Sequence, residues 1–380
     1  ADSPRFVRQL LDAVRSLRVG RPWEPGSQMG PVIAEPQDKL LRGLTELEPG
    51  ETWWVEPERL GDALWTPAVR GWVQPGSFMH EVECFGPVLG VMRARDLDHA
   101  IALINQVDYG LTSGIHTLDE AEVRAWIDGI EAGNLYVNRG MTGAIVQRQP
   151  FGGWKRSVVG ATAKAGGPHY VATLCDWERI EEVPSTGAPL GDAVEEIVSA
   201  VRADWVRAAA ERDAVAWRDR FSVGHDPTGL AAERNVQRYV PAPVMVRWDG
   251  GDAEALARVC AARQVAGGTG TISSAREIPA PLKRALRAAG ARVVVEDDDS
   301  AVARARAETA GRVRWVGTVD DAWRGSADLA VFDGAVTGSA EHELLPFVRE
   351  QAISITAHRY GTPFEPASRV AQSLVASGRP

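Results

Sequence analysis

Two short runs in this sequence carry residue types that could do chemistry. The first is Glu83-Cys84-Phe85-Gly86-Pro87. A carboxylate there could accept both hydroxyls of a ribose, as acidic residues do in dinucleotide sites. An aromatic two residues on could pack beside a nicotinamide and limit its motion. The same string also reads as a strand-entry turn with Phe85 in the core. The second run is the loop at residues 142–151, with Gly143-Ala144 near its start and Phe151 at its end. Adjacent N–H donors in a glycine-containing turn form a concavity for anions, and a small residue lets a carboxylate approach closely. Gly143 could equally do no more than permit a turn.

The other chemistry-bearing residues are sparse. Cys84, Cys175 and Cys260 have no CxxC spacing, which disfavours a zinc site or a disulfide framework and suits a reducing cytoplasm. His116 and His169 are lone histidines without metal-ligand partners at suitable spacing. Gly267-Gly268-Thr269-Gly270 has the look of a dinucleotide turn but lacks the third glycine at the right step and a preceding strand. Asp297-Asp298-Asp299 reads as a solvated loop and helix N-terminus, not a metal site. The net charge of −9 argues against nucleic acid as the main partner. No apolar run approaches membrane-spanning length, and Asp2, Arg5 and Arg8 interrupt any signal-peptide pattern.

The elements that must position these runs follow from periodicity. Ser3-Pro4 caps an amphipathic helix over residues 3–18. Residues 88–94 form a strand, 96–107 a helix, 111–116 a strand, 119–132 a helix closed by Gly133 as a left-handed cap, and 134–138 a strand. That alternation implies one parallel α/β layer. Residues 139–168 are glycine-rich and without period, and a long irregular loop inside a domain is more often functional than accidental. An exposed strand is expected over residues 169–177, a linker over 178–190 and a helix over 192–221. A second α/β series follows, plausible as a doubly wound, Rossmann-like fold. The expected domains are therefore residues 1–168, a projecting strand and linker at 169–190, a helical connector at 191–237, the second α/β domain at 238–357, and a loosely held tail at 358–380.

In order and spacing, Glu83 to Pro87, Asp108-Tyr109-Gly110-Leu111-Thr112-Ser113-Gly114-Ile115-His116, Asn134-Leu135-Tyr136-Val137-Asn138-Arg139 and Gln149-Pro150-Phe151-Gly152-Gly153-Trp154-Lys155 resemble the catalytic domain of the aldehyde dehydrogenase superfamily. Thr142-Gly143-Ala144-Ile145-Val146 and Lys164-Ala165-Gly166-Gly167-Pro168-His169-Tyr170 narrow the resemblance to L-glutamate-γ-semialdehyde (pyrroline-5-carboxylate) dehydrogenases. Within these it is similar to the dehydrogenase half of the long, bifunctional proline utilisation A flavoproteins. Arg238-Tyr239-Val240-Pro241 and Glu343-Leu344-Leu345-Pro346-Phe347-Val348-Arg349-Glu350-Gln351 resemble the C-terminal domain and closing motif of those long forms.

The resemblance implies that Glu83 binds the nicotinamide ribose of NAD and that Phe85 lies against the nicotinamide. It implies that the Gly143 and Ala144 amides hold the substrate α-carboxylate while Phe151 packs on the aldehyde's aliphatic part. Many relatives have Ser where Ala144 stands, so a hydroxyl bond would be absent here. The chemistry it implies is thiolate attack on the aldehyde, hydride transfer to NAD and hydrolysis of the thioester. No cysteine precedes Cys84, and Cys84 stands at a position the family does not use for attack. The nucleophilic Cys, the general-base Glu and the NAD-binding half are expected upstream of Ala1, and FAD only in a proline dehydrogenase half outside this sequence. The expected partners are L-glutamate γ-semialdehyde and the remainder of the polypeptide, with homo-oligomerisation open. Two other readings stay open: a dehydrogenase of another semialdehyde such as succinate semialdehyde, and a non-catalytic structural or interaction portion.

Overall fold

The computed structural model describes residues 3–178 and 183–376. The chain start at Ala1, residues 179–182 of the expected linker and residues 377–380 of the expected tail lie outside the described residues. The chain divides into two compact units, Ala1–Asp108 and Tyr109–Pro380.

The first unit is built on a three-stranded sheet. Its longer helices are α1 (Pro4–Arg15), α2 (Asp38–Thr45) and α3 (Leu97–Gln106), and the strands of that sheet are β1 (Thr52–Val55), β2 (Ala68–Gly71) and β3 (Val88–Val91). Ser3 caps α1 by accepting from Phe6 N at 3.3 Å, and Asp96 caps α3 by accepting from His99 N at 2.8 Å, as the sequence predicts. β2 pairs antiparallel with β1 and parallel with β3. Under the sheet, Arg70 is 1% exposed, ion-paired to Glu51, and donates to Gly43 O at 3.2 Å.

The second unit is built on two larger sheets, beside two short two-stranded pairings, Tyr109–Gly110 with Trp154–Lys155 and His358–Arg359 with Thr362–Pro363. In chain order it has β4 (Thr112–Ile115), α4 (Glu120–Gly129), β5 (Asn134–Val137), α5 (Asp192–Val201), α6 (Asp204–Ala216), β6 (Glu233–Pro241), β7 (Met245–Trp248), α7 (Ala253–Val265), β8 (Ile272–Ser274), α8 (Ala280–Ala288), β9 (Val293–Val295), α9 (Asp298–Thr309), β10 (Arg312–Val316), β11 (Ala330–Phe332), β12 (Val348–Thr356) and α10 (Glu365–Ala376). One sheet has the order β9-β8-β7-β10-β11 and every pair in it is parallel. This is the doubly wound arrangement the sequence predicts for the C-terminal α/β series. Its core takes Val246, Ile272 and Val316 from the strands, Leu256 and Val259 from α7, and Ile197 and Val198 from α5.

The other sheet was not legible in the local pattern. Its order is β6-β12-β5-β4. β6 and β12 form a nine-pair antiparallel ribbon, Glu233 opposite Thr356 through to Pro241 opposite Val348. β12 then lies parallel to β5, Ala352 beside Asn134, and β5 parallel to β4. The single parallel layer expected from residues 88–138 is therefore corrected, because β3 pairs with β2 in the first unit whereas β4 pairs with β5, and β5 with β12 of the C-terminal ribbon.

Three local expectations also change. Residues 169–177 are not a strand but contain a 3-10 turn, Val171–Leu174, stitched by Thr173 Oγ1 donating to Tyr170 O at 2.7 Å and Trp177 Nε1 donating to Ala172 O at 3.1 Å. The helix expected over 192–221 breaks at Arg202, whose φ is +54°, into α5 and α6, and ends in a π turn, Trp217–Phe221. The expected loose tail contains α10, which buries Ala367, Val370, Ala371 and Leu374. Among the described residues no helix is long and apolar enough to cross a membrane.

Candidate active site

Residues 83–87 form the entry to β3. Pro87 O accepts from Ala68 N at 2.8 Å and Gly86 O accepts from Val88 N at 2.8 Å, which stitches the run to β2. Cys84 is its inward residue, with Sγ 3.6 Å from Met79 Sδ. Gly43 on α2 leaves room for it, since a Cβ there would lie 2.6 Å from that sulfur. With Cys84 turned in, Glu83 is exposed and Phe85 is 80% exposed. The core position in this string is thus Cys84 and not Phe85. Phe85 also has φ +58°, a left-handed backbone that costs a non-glycine residue about 1 kcal/mol or more and collects at functional sites. An outward carboxylate beside an outward aromatic on a fixed turn fits a ribose and a flat ring.

The loop after β5 carries the second run. Gly143 has φ +93°, and nothing lies within 4 Å of where its Cβ would be. Its carbonyl is held by the buried Tyr136 hydroxyl of β5 at 3.1 Å. Gly143 and Ala144 are exposed, and among the described residues neither amide N–H has an acceptor. A pair of consecutive unpaired donors at a left-handed glycine is what an anion nest requires. Phe151 is half-buried and pairs with Ala165 through two backbone hydrogen bonds of 2.9 Å.

Gly133 has a role different from the cap read in the sequence. α4 ends at Gly129, and a Cβ on Gly133 would lie 2.0 Å from Gly152 O. The glycine is there to let the loop approach β5. Asn134 fastens that approach, donating to Pro150 O at 2.9 Å and accepting from Gly152 N at 3.1 Å and Lys164 Nζ at 2.8 Å. Burial pulls the Lys164 ammonium down to about 7, against the pull of the Glu350 carboxylate.

The rest of the loop's support comes from one face of the β6–β12 ribbon. Side chains two apart share a face, and Glu233, Asn235, Gln237 and Tyr239 all meet the loop or its partners. Glu233 accepts from Arg139 at 2.7 Å and from Arg148 Nε at 2.6 Å. Gln149 Nε2 donates to Ser354 Oγ at 3.0 Å, and Ser354 donates to Asn235 at 2.6 Å. Glu350 accepts from Gln237 at 3.0 Å and from Lys164 N at 2.9 Å. His169 Nε2 and the Tyr239 hydroxyl are 2.6 Å apart. Sequence reasoning missed these groups because their partners lie far along the chain. The polar residues at every second position, Glu233, Asn235 and Gln237, were the available signal.

The family model described as the aldehyde dehydrogenase family matches residues 3–180. Residues 3–180 are an aldehyde dehydrogenase family domain. The 1-pyrroline-5-carboxylate dehydrogenase of Bacillus cytotoxicus is 34% identical over 182 residues, which cover 44% of this chain and 33% of the relative. That of Geobacillus kaustophilus is 36% identical over 182 residues, 47% of this chain and 35% of the relative. Among solved structures, proline utilisation A from Corynebacterium freiburgense matches with a TM-score of 0.79 and 42% identity, over 95% of this chain and 35% of that one. The chain therefore spans about a third of the length of the relatives it matches.

Both loops lie within residues 3–180, and two of the three thiols, Cys84 and Cys260, are buried away from any substrate. Burial raises the Cys84 thiol, despite Arg70 and Lys39 nearby, and pushes Cys260 up to about 12. Cys175 is exposed, with its sulfur 3.4 Å from Val171 O. His169 is buried between Phe221 and Tyr239, and burial draws its imidazole down to about 4. It serves the packing of the domain on the ribbon. Among the described residues no group of three or more His, Cys, Asp or Glu could hold a metal ion. Gly267 to Gly270 follow α7 and precede β8, lining a 440 Å³ cavity with Arg263, Arg292 and Glu308. This lies at the amino ends of the strands, whereas dinucleotides bind at the carboxyl ends. Arg263 donates to Gly270 O at 2.9 Å from the last turn of α7, the place of a helix cap.

Proposed function

We propose that this chain is part of an NAD-dependent L-glutamate-γ-semialdehyde dehydrogenase of a bifunctional proline-catabolic protein, and that residues 142–151 take the substrate. The Gly143 and Ala144 amides hold the α-carboxylate, and Phe151 packs on the aliphatic carbons. Glu83 accepts the hydroxyls of the nicotinamide ribose, and Phe85 lies against the nicotinamide. NAD when bound supplies the hydride acceptor, and these residues bind and orient it. The reactive thiol in this reading is none of Cys84, Cys175 and Cys260.

The observation that carries the reading is the pair of unpaired amides at a left-handed glycine. The likeness of 95% of the chain to one proline utilisation A structure supports the bifunctional setting. It extends to the C-terminal α/β module, which in this reading is non-catalytic and supports the substrate loop. Ala144→Pro tests it, because proline deletes one donor. In the catalytically competent protein carrying this segment, KM for the semialdehyde should rise roughly ten- to hundredfold, the effect of losing one hydrogen bond to a charged group, with KM for NAD unchanged. An equal KM for the semialdehyde would remove the carboxylate from this loop. A preference for succinate semialdehyde in the unaltered protein would favour the rival substrate class.

A further inference from the structure

We propose that Glu233 is a positioning residue for the substrate loop, its carboxylate clamping the two arginines that flank residues 140–147 and so fixing the direction of the Gly143 and Ala144 amides. The inference rests on the reading of residues 142–151 as the carboxylate site. It adds a residue from the C-terminal ribbon, outside residues 3–180, to the binding machinery.

The geometry is that of one acid shared by two guanidiniums. Glu233 Oε2 accepts from Arg139 Nη1 at 2.7 Å, and Oε1 accepts from Arg148 Nε at 2.6 Å and from Arg148 Nη2. Asn235 Nδ2 adds a bond to Oε1 at 3.1 Å. The Glu233 side chain is 11% exposed, against 26% for Arg139 and 37% for Arg148. Arg139 Nη1 also donates to Ser354 Oγ at 2.8 Å, so the clamp reaches both strands of the ribbon. Charge-assisted and two-pronged bonds of this kind are the strong and directional ones.

What lies between the arginines explains why a clamp is needed. Residues 140–147 are all exposed. They are tied down by Tyr136 holding Gly143 O, by Gln147 N donating to Gly166 O at 3.3 Å, and by Ile145 O accepting from Arg148 N at 3.0 Å and Gln149 N at 2.8 Å. A segment so lightly held would have to be ordered by its ligand, which weakens binding. Fixing both ends in advance removes most of that cost. Arg139 follows β5 and Arg148 precedes Phe151, so the clamp brackets both the nest and the approach to the aromatic wall. Burial would raise the Glu233 carboxyl, but the bonds from Asn235, Arg148 and Arg139 hold it below the usual carboxylate range. The clamp is therefore charged throughout neutral pH.

Glu233→Gln keeps the shape and removes the charge, and Arg148→Gln removes one partner. In this chain, hydrogen exchange at Gln147, Arg148 and Gln149, whose amides donate to Gly166 O and Ile145 O, should quicken about tenfold in either variant, with β5 and β12 still protected. The double variant should be no looser than the worse single one, as for two residues acting through one contact. In the catalytically competent protein carrying this segment, Glu233→Gln should raise KM for the semialdehyde about tenfold, with kcat and KM for NAD nearly unchanged. Unaltered exchange at Gln147, Arg148 and Gln149 overturns the clamp, whatever the loop binds. Faster exchange with an unaltered KM for the semialdehyde overturns the positioning role along with the reading of the loop. Loss of protection in β5 and β12 in both variants would make the contact purely structural and also overturn it.

Discussion

Phe85 combines an exposed ring with a left-handed backbone, and folding gains little from either. If the residue is kept for a ligand, Phe85→Gly should leave the unfolding free energy of this chain within about 1 kcal/mol of its present value, since the lost backbone strain offsets the added chain entropy. KM for NAD in the competent protein should rise. A core phenylalanine would instead cost about 3–5 kcal/mol when truncated, so denaturant unfolding separates the two. Ala144 is the other informative residue. Its side chain lies on an exposed turn, so Ala144→Ser should be neutral for stability. It should lower KM for the semialdehyde up to about tenfold if the hydroxyl joins the nest. At this scale the sequence was most legible: both runs lie on outward-facing turns with their polar groups available. What it left open was which residue of residues 83–87 faces inward, because Cys84 and Phe85 are both apolar and only the backbone twist decides.

The elements around the loop carry a pH signature. The Lys164 ammonium is buried and drawn down to about 7, while the unfolded chain holds that proton to about 10.4. Between these values the unfolded state binds more protons, so stability rises with pH. Lys164→Met lacks this titration. The melting temperature of the unaltered chain should therefore gain on that of the variant between pH 7 and about pH 9.5, and a constant difference would mean that Lys164 stays charged when folded. Elements were less legible than residues. Gly133 could be read as a cap or as a close approach, and both need a missing Cβ; the approach of Gly152 O decides it. Residues 169–177 are rich in strand-forming types, yet a strand needs a partner, and the edge of β5 is already taken by β12.

For the whole molecule, the C-terminal half acts on the aldehyde dehydrogenase domain through one ribbon with two faces. One face holds the loop at residues 142–151. On the other, Arg238 donates to Asp128 of α4 at 3.1 Å and to Ile127 O at 2.8 Å, and Gln351 donates to Ala132 O at 2.9 Å. α10 closes this side, with Arg369 donating to Glu120 and Gly224 N donating to Leu374 O at 3.0 Å. Deleting the chain from residue 365 should cost on the order of 4 kcal/mol from the buried Val370, Leu374 and alanines. A loosely held tail would leave thermal unfolding unchanged. The doubly wound sheet was legible because each strand and helix is local and patterned. The ribbon was not, because β6 and β12 are separated by that entire sheet and only three dimensions join them to β5. The central claim is that the Gly143 and Ala144 amides hold the substrate's acid group. Its most direct test is a crystal structure of the catalytically competent protein with L-glutamate, the reaction product. The account predicts the α-carboxylate within hydrogen-bond distance of both amide nitrogens. Glutamate seated with that carboxylate on other groups, and these two amides turned to solvent, would contradict it.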